Sequence, residues 1–439
     1  PDGTFLDPLP GTGSGFDGDV NILLPQPDRK VVALGDFGAY AGRGSLYGLA
    51  RLGEDGSLDV QFAKRASKPL SENGRYDCAA FLSGWRLALG GFFTSYGGHA
   101  ANGLLRLSPE GGMDKPFLDK AMDLREISAE GAGLRVRSVA PARGGRLLIA
   151  GDFDHRPAVL MLEPDGTNQR HFQAPPDSTY FESVENRGSI LTATLPDGSI
   201  LLAGSYRQKE GGVVGRVVRL LPGGTRDRRF SAPDFVGGDR SFQAMVVQRD
   251  GSVVLGGSFS QVDDFAAPNL ARLGPDGTPD RAFARKLGDG FGRDAARRVR
   301  ALLLLKDGSI LAAGAFGVGR LLPDGRVDAA FAENQAFGFD GPVQALAHGA
   351  DGAGWVGGAF TGLVDPKSPV IPWNRCAAAS DCRAVRRPCG DWDAVNRLYA
   401  ADVAAYNEKR RGSENCVYIE YPRGILACER KACVLNPAP

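Results

Sequence analysis

Val299-Arg300-Ala301-Leu302-Leu303 leads through Lys306-Asp307-Gly308 into Ser309-Ile310-Leu311-Ala312-Ala313, and the run stops at Gly314-Ala315-Phe316. Two apolar runs joined by Asp-Gly form a hairpin, because that dipeptide supplies the positive φ angles of a tight turn. The ending recurs at Gly35-Asp36-Phe37, Gly91-Phe92-Phe93, Gly151-Asp152-Phe153, Gly204-Ser205-Tyr206, Gly257-Ser258-Phe259 and Gly358-Ala359-Phe360. Each unit adds a third run such as Leu270-Ala271-Arg272-Leu273, a turn at Asp276-Gly277 and a tail of the form Asp-x-x-Phe. The tails are Asp59 to Phe62, Asp114 to Phe117, Asp227 to Phe230, Asp280 to Phe283 and Asp328 to Phe331. Four short strands at a period of roughly 40 to 60 residues describe one blade of a β-propeller. The expected fold is all-β, a seven-bladed propeller of four-stranded antiparallel blades over residues 1–362. A Pro-containing linker at 363–375 and a small disulfide-rich α+β module at 376–439 follow.

The repeat resembles the delta-60 type bacterial β-propeller repeat. That pattern runs through an apolar strand, Asp-Gly, a strand ending Gly-Gly-x-Phe, Ala-Arg-Leu, Asp-Gly and Leu-Asp-x-x-Phe. Residues 20–62, 242–283 and 299–331 follow it best. The third and fourth units drift, with Asn168 in place of the tail Asp and Gly223-Gly224 in place of Asp-Gly. The resemblance implies a secreted or surface-exposed propeller and says almost nothing about chemistry.

Composition agrees. The chain has 439 residues, enough for one large β domain and a small partner, and its 61 glycines and 28 prolines suit turn-dense structure. Lys and Arg total 52 against 51 Asp and Glu, so no global field points to nucleic acid or an anionic membrane. No apolar stretch approaches the ~20 residues of a membrane helix. Pro1 falls inside a repeat, so the chain reads as a mature or trimmed product without an export signal.

Six of the seven cysteines, Cys376, Cys382, Cys389, Cys416, Cys428 and Cys433, lie near the C-terminus, and Cys78 lies in the repeat region. An even set in a segment too short for its own core reads as a disulfide framework made in an oxidising compartment, with the pairing left open. Zinc is the competing reading, but there is no Cys-x-x-Cys and the last histidine is His348, outside the segment. Within the segment a helix is expected, capped by Asp391 or Asp393, with Val395, Leu398, Tyr399, Val403 and Tyr406 on one face and Gly412 as its stop. A strand over 416–421 is expected next. The run of Cys376, Asp381-Cys382, Cys389-Gly390 and Ala394-Val395-Asn396 resembles a small Cys-rich module at the ends of secreted proteins and lipoproteins of some Gram-negative bacteria.

The search for chemistry yields no catalytic residue, no metal ligand set and no cofactor. His99, His155, His171 and His348 stand apart from any nucleophile, and heme attachment lacks its motif. Asp36 and Asp152 tempt as catalytic acids, but Ser, Ala and Phe fill the same slot elsewhere. Asp55-Gly56-Ser57-Leu58-Asp59 and Asp276-Gly277-Thr278-Pro279-Asp280 mimic half a calcium loop, but Leu52-Gly53 and Leu273-Gly274 stand where further acids are needed. Gly97-Gly98 lacks the Lys and Ser/Thr of a phosphate loop.

One set could meet a ligand. The second position of each first strand reads Asn21, Ala79, Arg137, Leu191, Gln243, Arg300 and Gln344, and the innermost strands border a central channel. Asn21, Arg137, Gln243, Arg300 and Gln344 are therefore candidate contacts for an acidic or sugar ligand. The expected role is that of a secreted, cell-surface or periplasmic interaction or assembly protein. Its partner is then a protein or a second copy, without nucleic acid or membrane insertion. A lectin-like propeller, with aromatic platforms such as Tyr40, Trp85 or Tyr96, is the first alternative, and a lyase or hydrolase at the channel mouth is the second. Residues 4–10 resemble the tail missing from the seventh unit and are expected to complete it. The cysteine count predicts one alkylatable thiol, Cys78, in the native protein. Intact mass before and after alkylation checks this, and a second free thiol or a bound metal contradicts it.

Overall fold

The computed structural model describes residues 15–121, 135–153, 156–169, 171–172, 190–207, 213–292, 298–333, 338–339, 341–348 and 354–360, with short strands beyond. The chain divides into a larger unit, chiefly Gly15–Asn334 and Phe339–Leu363, and a smaller one, chiefly Val364–Pro439.

In the larger unit the strands come in antiparallel sets. Sheet one is β1 (Asp19–Pro25), β2 (Val31–Asp36) and β3 (Leu49–Leu52), followed by helix α1 (Val60–Ala66). Sheet two is β4 (Arg75–Phe81), β5 (Leu87–Phe92) and β6 (Leu104–Leu107), then α2 (Lys115–Ala121). Sheet three is β7 (Arg135–Pro141), β8 (Leu147–Phe153) and β9 (Arg156–Leu162), and sheet four is β10 (Leu191–Thr194), β11 (Ile200–Arg207) and β12 (Val213–Leu220). Sheet five is β13 (Ser241–Val247), β14 (Val253–Ser258) and β15 (Leu270–Leu273), then α3 (Arg281–Leu287). Sheet six is β16 (Val299–Leu304), β17 (Ile310–Gly314) and β18 (Gly317–Leu321), then α4 (Ala329–Glu333). Sheet seven shows β19 (Val343–His348) and β20 (Gly354–Gly358). The first strands touch in cyclic order: β1 packs on β4, β4 on β7, β7 on β10, β10 on β13, β13 on β16, β16 on β19, and β19 on β1. This is an all-β, propeller-like arrangement with few helices.

The core lies between sheets. Tyr76, Leu87, Leu89 and Leu105 of sheet two pack with Val32, Leu34 and Leu49 of sheet one, and Phe230, Phe235, Phe242 and Phe259 fill the space between sheets four and five. The repeated aromatic is inside: Phe37, Phe93 and Phe259 are all buried. The hairpin turns need less than the sequence suggested. In the turn before β17 only Gly308 takes a positive φ (84°), while Asp307 holds the bend by accepting from the Ser309 amide (2.9 Å) and hydroxyl (2.6 Å).

The paired glycines at the ends of the second strands have separate causes. A Cβ on the first would strike the neighbouring sheet: 2.6 Å from Val136 Cγ1 at Gly90, 2.5 Å from Val299 Cγ1 at Gly256 and 2.6 Å from Val20 Cγ1 at Gly357. A Cβ on the second would meet a carbonyl oxygen of its own first strand: Asp19 at 1.9 Å from Gly35, Arg75 at 2.0 Å from Gly91 and Ser241 at 2.1 Å from Gly257. Each of these first strands carries a β-bulge beside the second glycine, as between Val20 and Ile22 or Phe242 and Ala244. The bulge brings the carbonyl over the glycine, and so glycine closes the strand.

The tails of sheets one, two, five and six correct the expectation of a fourth strand, whereas in sheet four the strand Phe235–Val236 does pair with β12, through Gly215. In those four sheets the chain makes a single bridge after the third strand, such as Leu52 with Leu58 or Leu273 with Pro279, and then turns into a short helix. Asp59 caps α1 by accepting from Phe62 N (3.0 Å), and Asp280 caps α3 through Phe283 N (2.8 Å). With apolar Phe62 and Phe283 buried under the third strands, one helical turn satisfies the backbone that a fourth strand would leave at an open edge.

The same aspartate ties sheets together. Arg51 gives Nε (3.1 Å) and Nη2 (2.9 Å) to Asp59 and Nη1 to the Pro109 carbonyl of sheet two (2.6 Å), and its guanidinium lies 4.3 Å from the Phe62 ring centre. Arg106 repeats this with Asp114, Phe117 and the Pro164 carbonyl, and Arg272 with Asp280, Phe283 and the Pro323 carbonyl. Arg219 joins Asp227 and the Pro275 carbonyl likewise. Sheet three departs in both members. Backbone pairing puts Gln169, not Asn168, in the tail position, since Gln169 N bonds Met161 O as Asp114 N bonds Arg106 O. Met161 then replaces the arginine, so both charges are lost together.

In the smaller unit β21 (Cys382–Arg386) pairs with β22 (Trp392–Asn396), and β23 (Gly424–Glu429) with β24 (Ala432–Pro437). The expected helix therefore does not begin at Asp391 or Asp393: residues 392–396, which include Val395, are extended and hydrogen-bonded to another strand. Cys428 and Cys433 stand opposite one another in the β23–β24 register. The rest of that helix, the 416–421 strand, Cys376, Cys389 and Cys416, most of the linker, and residues 4–10 lie outside the described residues.

Asp114→Ala should destabilise the protein by about 3 kcal/mol, because it leaves Arg106, with only 5% of its side chain exposed, charged and unpaired. The double change Arg106→Met with Asp114→Gln, which copies sheet three, should cost less than that single one. Urea unfolding of both variants decides it.

Candidate functional site

The bulges decide which side chains of the first strands leave the inter-sheet core. In sheets one, three, five, six and seven the extra residue is Asn21, Arg137, Gln243, Arg300 and Gln344, the five positions singled out from the sequence. In sheet two it is Asp77 and not Ala79, which packs in the core beside Leu89 and Leu105. The position differs because Tyr76, not Cys78, is the counterpart of Val20 and Val136: it pairs with Gly91 as they pair with Gly35 and Gly151. Leu191 pairs regularly with Ala203 and packs against the core, so it is not a sixth contact.

Around these positions lies a ring of charge. Asn21 Nδ2 donates to Asp36 (3.1 Å), and Arg137 bonds Asp152, so the two tempting aspartates each hold the bulged residue of their own sheet. Asp77 accepts from Arg75 (3.1 Å) and from Arg135 of sheet three (2.8 Å), and Asp239 pairs with Arg298 of sheet six (3.1 Å). Gln344 Nε2 reaches Asp19 of sheet one at 3.0 Å. Burial pushes the Arg300 guanidinium below its usual value, as does neighbouring Arg298, while Asp19 acts in the opposite sense. Groups from sheets one, six and seven thus share one space beside the first strands. Two members lack partners: Gln243 Oε1 and Arg300 Nε are buried without a hydrogen bond.

Other expectations resolve individually. Tyr40 donates to the Gly56 carbonyl (2.7 Å) and buried Tyr96 to the Ala66 carbonyl, so both rings serve the fold. Trp85 is 45% exposed, with Phe81 at 5.6 Å. Cys78 is a free thiol turned toward the Val136 carbonyl (3.7 Å), and burial pushes its pKa well up. The His99 ring faces the Gly97 carbonyl (3.3 Å), and among the described residues no cluster of three metal-ligating side chains occurs. Asp55 and Asp276 spend an oxygen on Ser57 and Thr278 of their own turns.

A family model described as "Domain of unknown function (DUF5122) beta-propeller" matches residues 26–62, 195–230, 248–283 and 305–331, four of the repeated units. The chain is a β-propeller repeat protein. No curated protein matches it significantly. Solved structures of similar fold include virginiamycin B lyase from Staphylococcus aureus, with 12% identity, TM-score 0.42, and coverage of 79% of this propeller's chain and 94% of the other. A gluconolactonase from Xanthomonas campestris gives 12%, 0.39, 79% and 94%, and puromycin hydrolase 17%, 0.46, 89% and 60%. At such identities the likeness concerns fold and transfers no chemistry.

The turn aspartates give this propeller a defined acid response. Hydrogen bonds from the Ser57, Ser199 and Ser309 hydroxyls lead the effects that hold Asp55, Asp197 and Asp307 below the ordinary 3.8. A carboxylate lowered on folding stabilises above its ordinary pKa, and that contribution is lost as pH falls through the folded value. The urea midpoint should stay level down to about pH 5 and decline below about pH 4. A midpoint that rises on acidification would contradict this.

Proposed function

We propose that the protein is an exported, seven-bladed propeller that acts as a binding module, not an enzyme, and that its channel mouth receives an acidic group of a protein partner. The unpartnered Arg300 Nε carries this reading. Arg300 is partly desolvated, its neighbour Asp19 accepts from Gln344, and the amide oxygen of Gln243 in the adjacent sheet also waits for a donor. A carboxylic acid or a carboxylate with its bound water would satisfy both, and a buried guanidinium gains most from an ionised acceptor. The cyclic contacts of the seven first strands support the blade count. Export rests on the clustered cysteines.

Thermal shift with glutamate-rich peptides tests the mouth: they should stabilise the wild type, and Arg300→Gln should abolish the shift. Equal shifts in both proteins would end the proposal. We propose further that residues 4–10 add the outer strand to β20, since sheet seven shows only two strands among the described residues. Deleting residues 1–10 should then lower the melting temperature and promote aggregation. Loss of an assembly with the fold intact would instead mean exchange of this strand between copies.

A further inference from the structure

Between sheets one and two lies a cleft of about 410 Å³, within the usual size of small-ligand sites. Its floor is apolar, from Phe37, Leu70 and Tyr76, and its rim carries Asp36, Tyr47, Asn73 and Arg75. Every one of these rim groups has unused bonding capacity. Asp36 spends Oδ2 on Asn21, leaving Oδ1, and Arg75 spends Nε on Asp77, leaving both Nη groups. Among the described residues neither the Tyr47 hydroxyl nor the Asn73 side-chain amide has a hydrogen-bond partner, and Asn73 is exposed.

Tyr47 is the unusual member. It is 45% exposed and holds φ at 48°, a region that disfavours side chains other than those of Gly, Asn and Asp. The repeat does not demand this. The bond from Gly35 N to Gly48 O recurs as Gly91 N to Gly103 O and Gly257 N to Asn269 O, so Asn102 and Pro268 occupy the place of Tyr47, and neither has a positive φ. The first sheet alone of these three thus holds an aromatic ring out over the cleft in a strained backbone, and strain of this kind gathers at binding sites.

We infer that this cleft binds the ring of a neutral saccharide. An anion would meet the Asp36 carboxylate and a cation the Arg75 guanidinium. A polyhydroxylated ring satisfies both, because each hydroxyl donates to a carboxylate oxygen and accepts from an N–H. Its C–H face is apolar and suits an exposed tyrosine ring that is polar only at its tip. The assignment is independent of the channel-mouth reading, since neither Arg300 nor Gln243 lines the cleft.

The test uses the full chain against a printed glycan array and, in calorimetry, against the methyl glycosides of glucose, galactose, mannose, rhamnose and N-acetylglucosamine. At least one should bind. Tyr47→Gly should weaken that binding about ten-fold or more while the melting temperature holds or rises, because glycine adopts the positive φ freely. Trp85→Ala and Arg300→Gln should leave sugar binding unchanged. No binding across the array and the glycosides overturns the inference, as does binding that survives Tyr47→Gly. An amino-acid zwitterion could also pair with both charges, and its binding in place of every sugar would equally overturn it.

Discussion

The glycine that closes each second strand and the bulge it faces form one constraint, and the arrangement of the larger unit depends on it. A bulge inserts one residue into the first strand and brings a carbonyl within about 2 Å of where a Cβ would stand, so the partner position accepts only glycine. The inserted residue no longer belongs to the alternation that fills the inter-sheet core. It is thus free to be polar, and Asn21, Asp77, Arg137, Gln243, Arg300 and Gln344 are polar. One packing rule therefore produces both the recurrent Gly-x-Phe and the polar residues set into the first strands.

A second device acts at the rim. The arginine of the third strand, the capping aspartate and the aromatic that follows make a stacked, bidentate pair whose spare N–H reaches a carbonyl of the next sheet. A guanidinium suits this role because its planar fork serves two acceptors while its face lies on a ring. Sheet three shows what the device requires. With Met161 and Gln169 neither charge is left alone, and Met161 is buried. Partly buried charges are kept in pairs or given up in pairs.

These devices leave most polar groups of the repeat with structural work. The two aspartates of Gly-Asp-Phe anchor bulged residues, the turn aspartates hold Ser and Thr, and the tail aspartates cap helices. Among the groups with capacity left over are Arg300 and Gln243 beside the first strands and those that line the cleft beside Tyr47. The exposed members, Tyr47, Asn73 and Arg75 among them, can vary without disturbing the packing, whereas Phe37 and Tyr76 beneath them belong to the core. This separation explains why the repeat is so explicit about fold and so reticent about ligands.

The sequence by itself determined the repeating unit, its hairpins and the buried aromatic, because period-2 apolar runs and Gly-rich turns are local signals. It singled out Asn21, Arg137, Gln243, Arg300 and Gln344 by position, but only strand pairing shows that each is a bulged residue. It missed Asp77, since the strand was counted from Cys78, and only pairing with β5 shows that it opens earlier, with Tyr76 opposite Gly91. It read a strand where Asp59 and Asp280 cap helices, and a helix where residues 392–396 pair with another strand. In both places side-chain periodicity is compatible with either state, and the hydrogen-bond partners available nearby decide. Tyr47 carried no signal at all. Its significance lies in a backbone angle and in a cleft shared with Arg75 and Asn73 of another sheet, and such juxtapositions exist only once the sheets have packed.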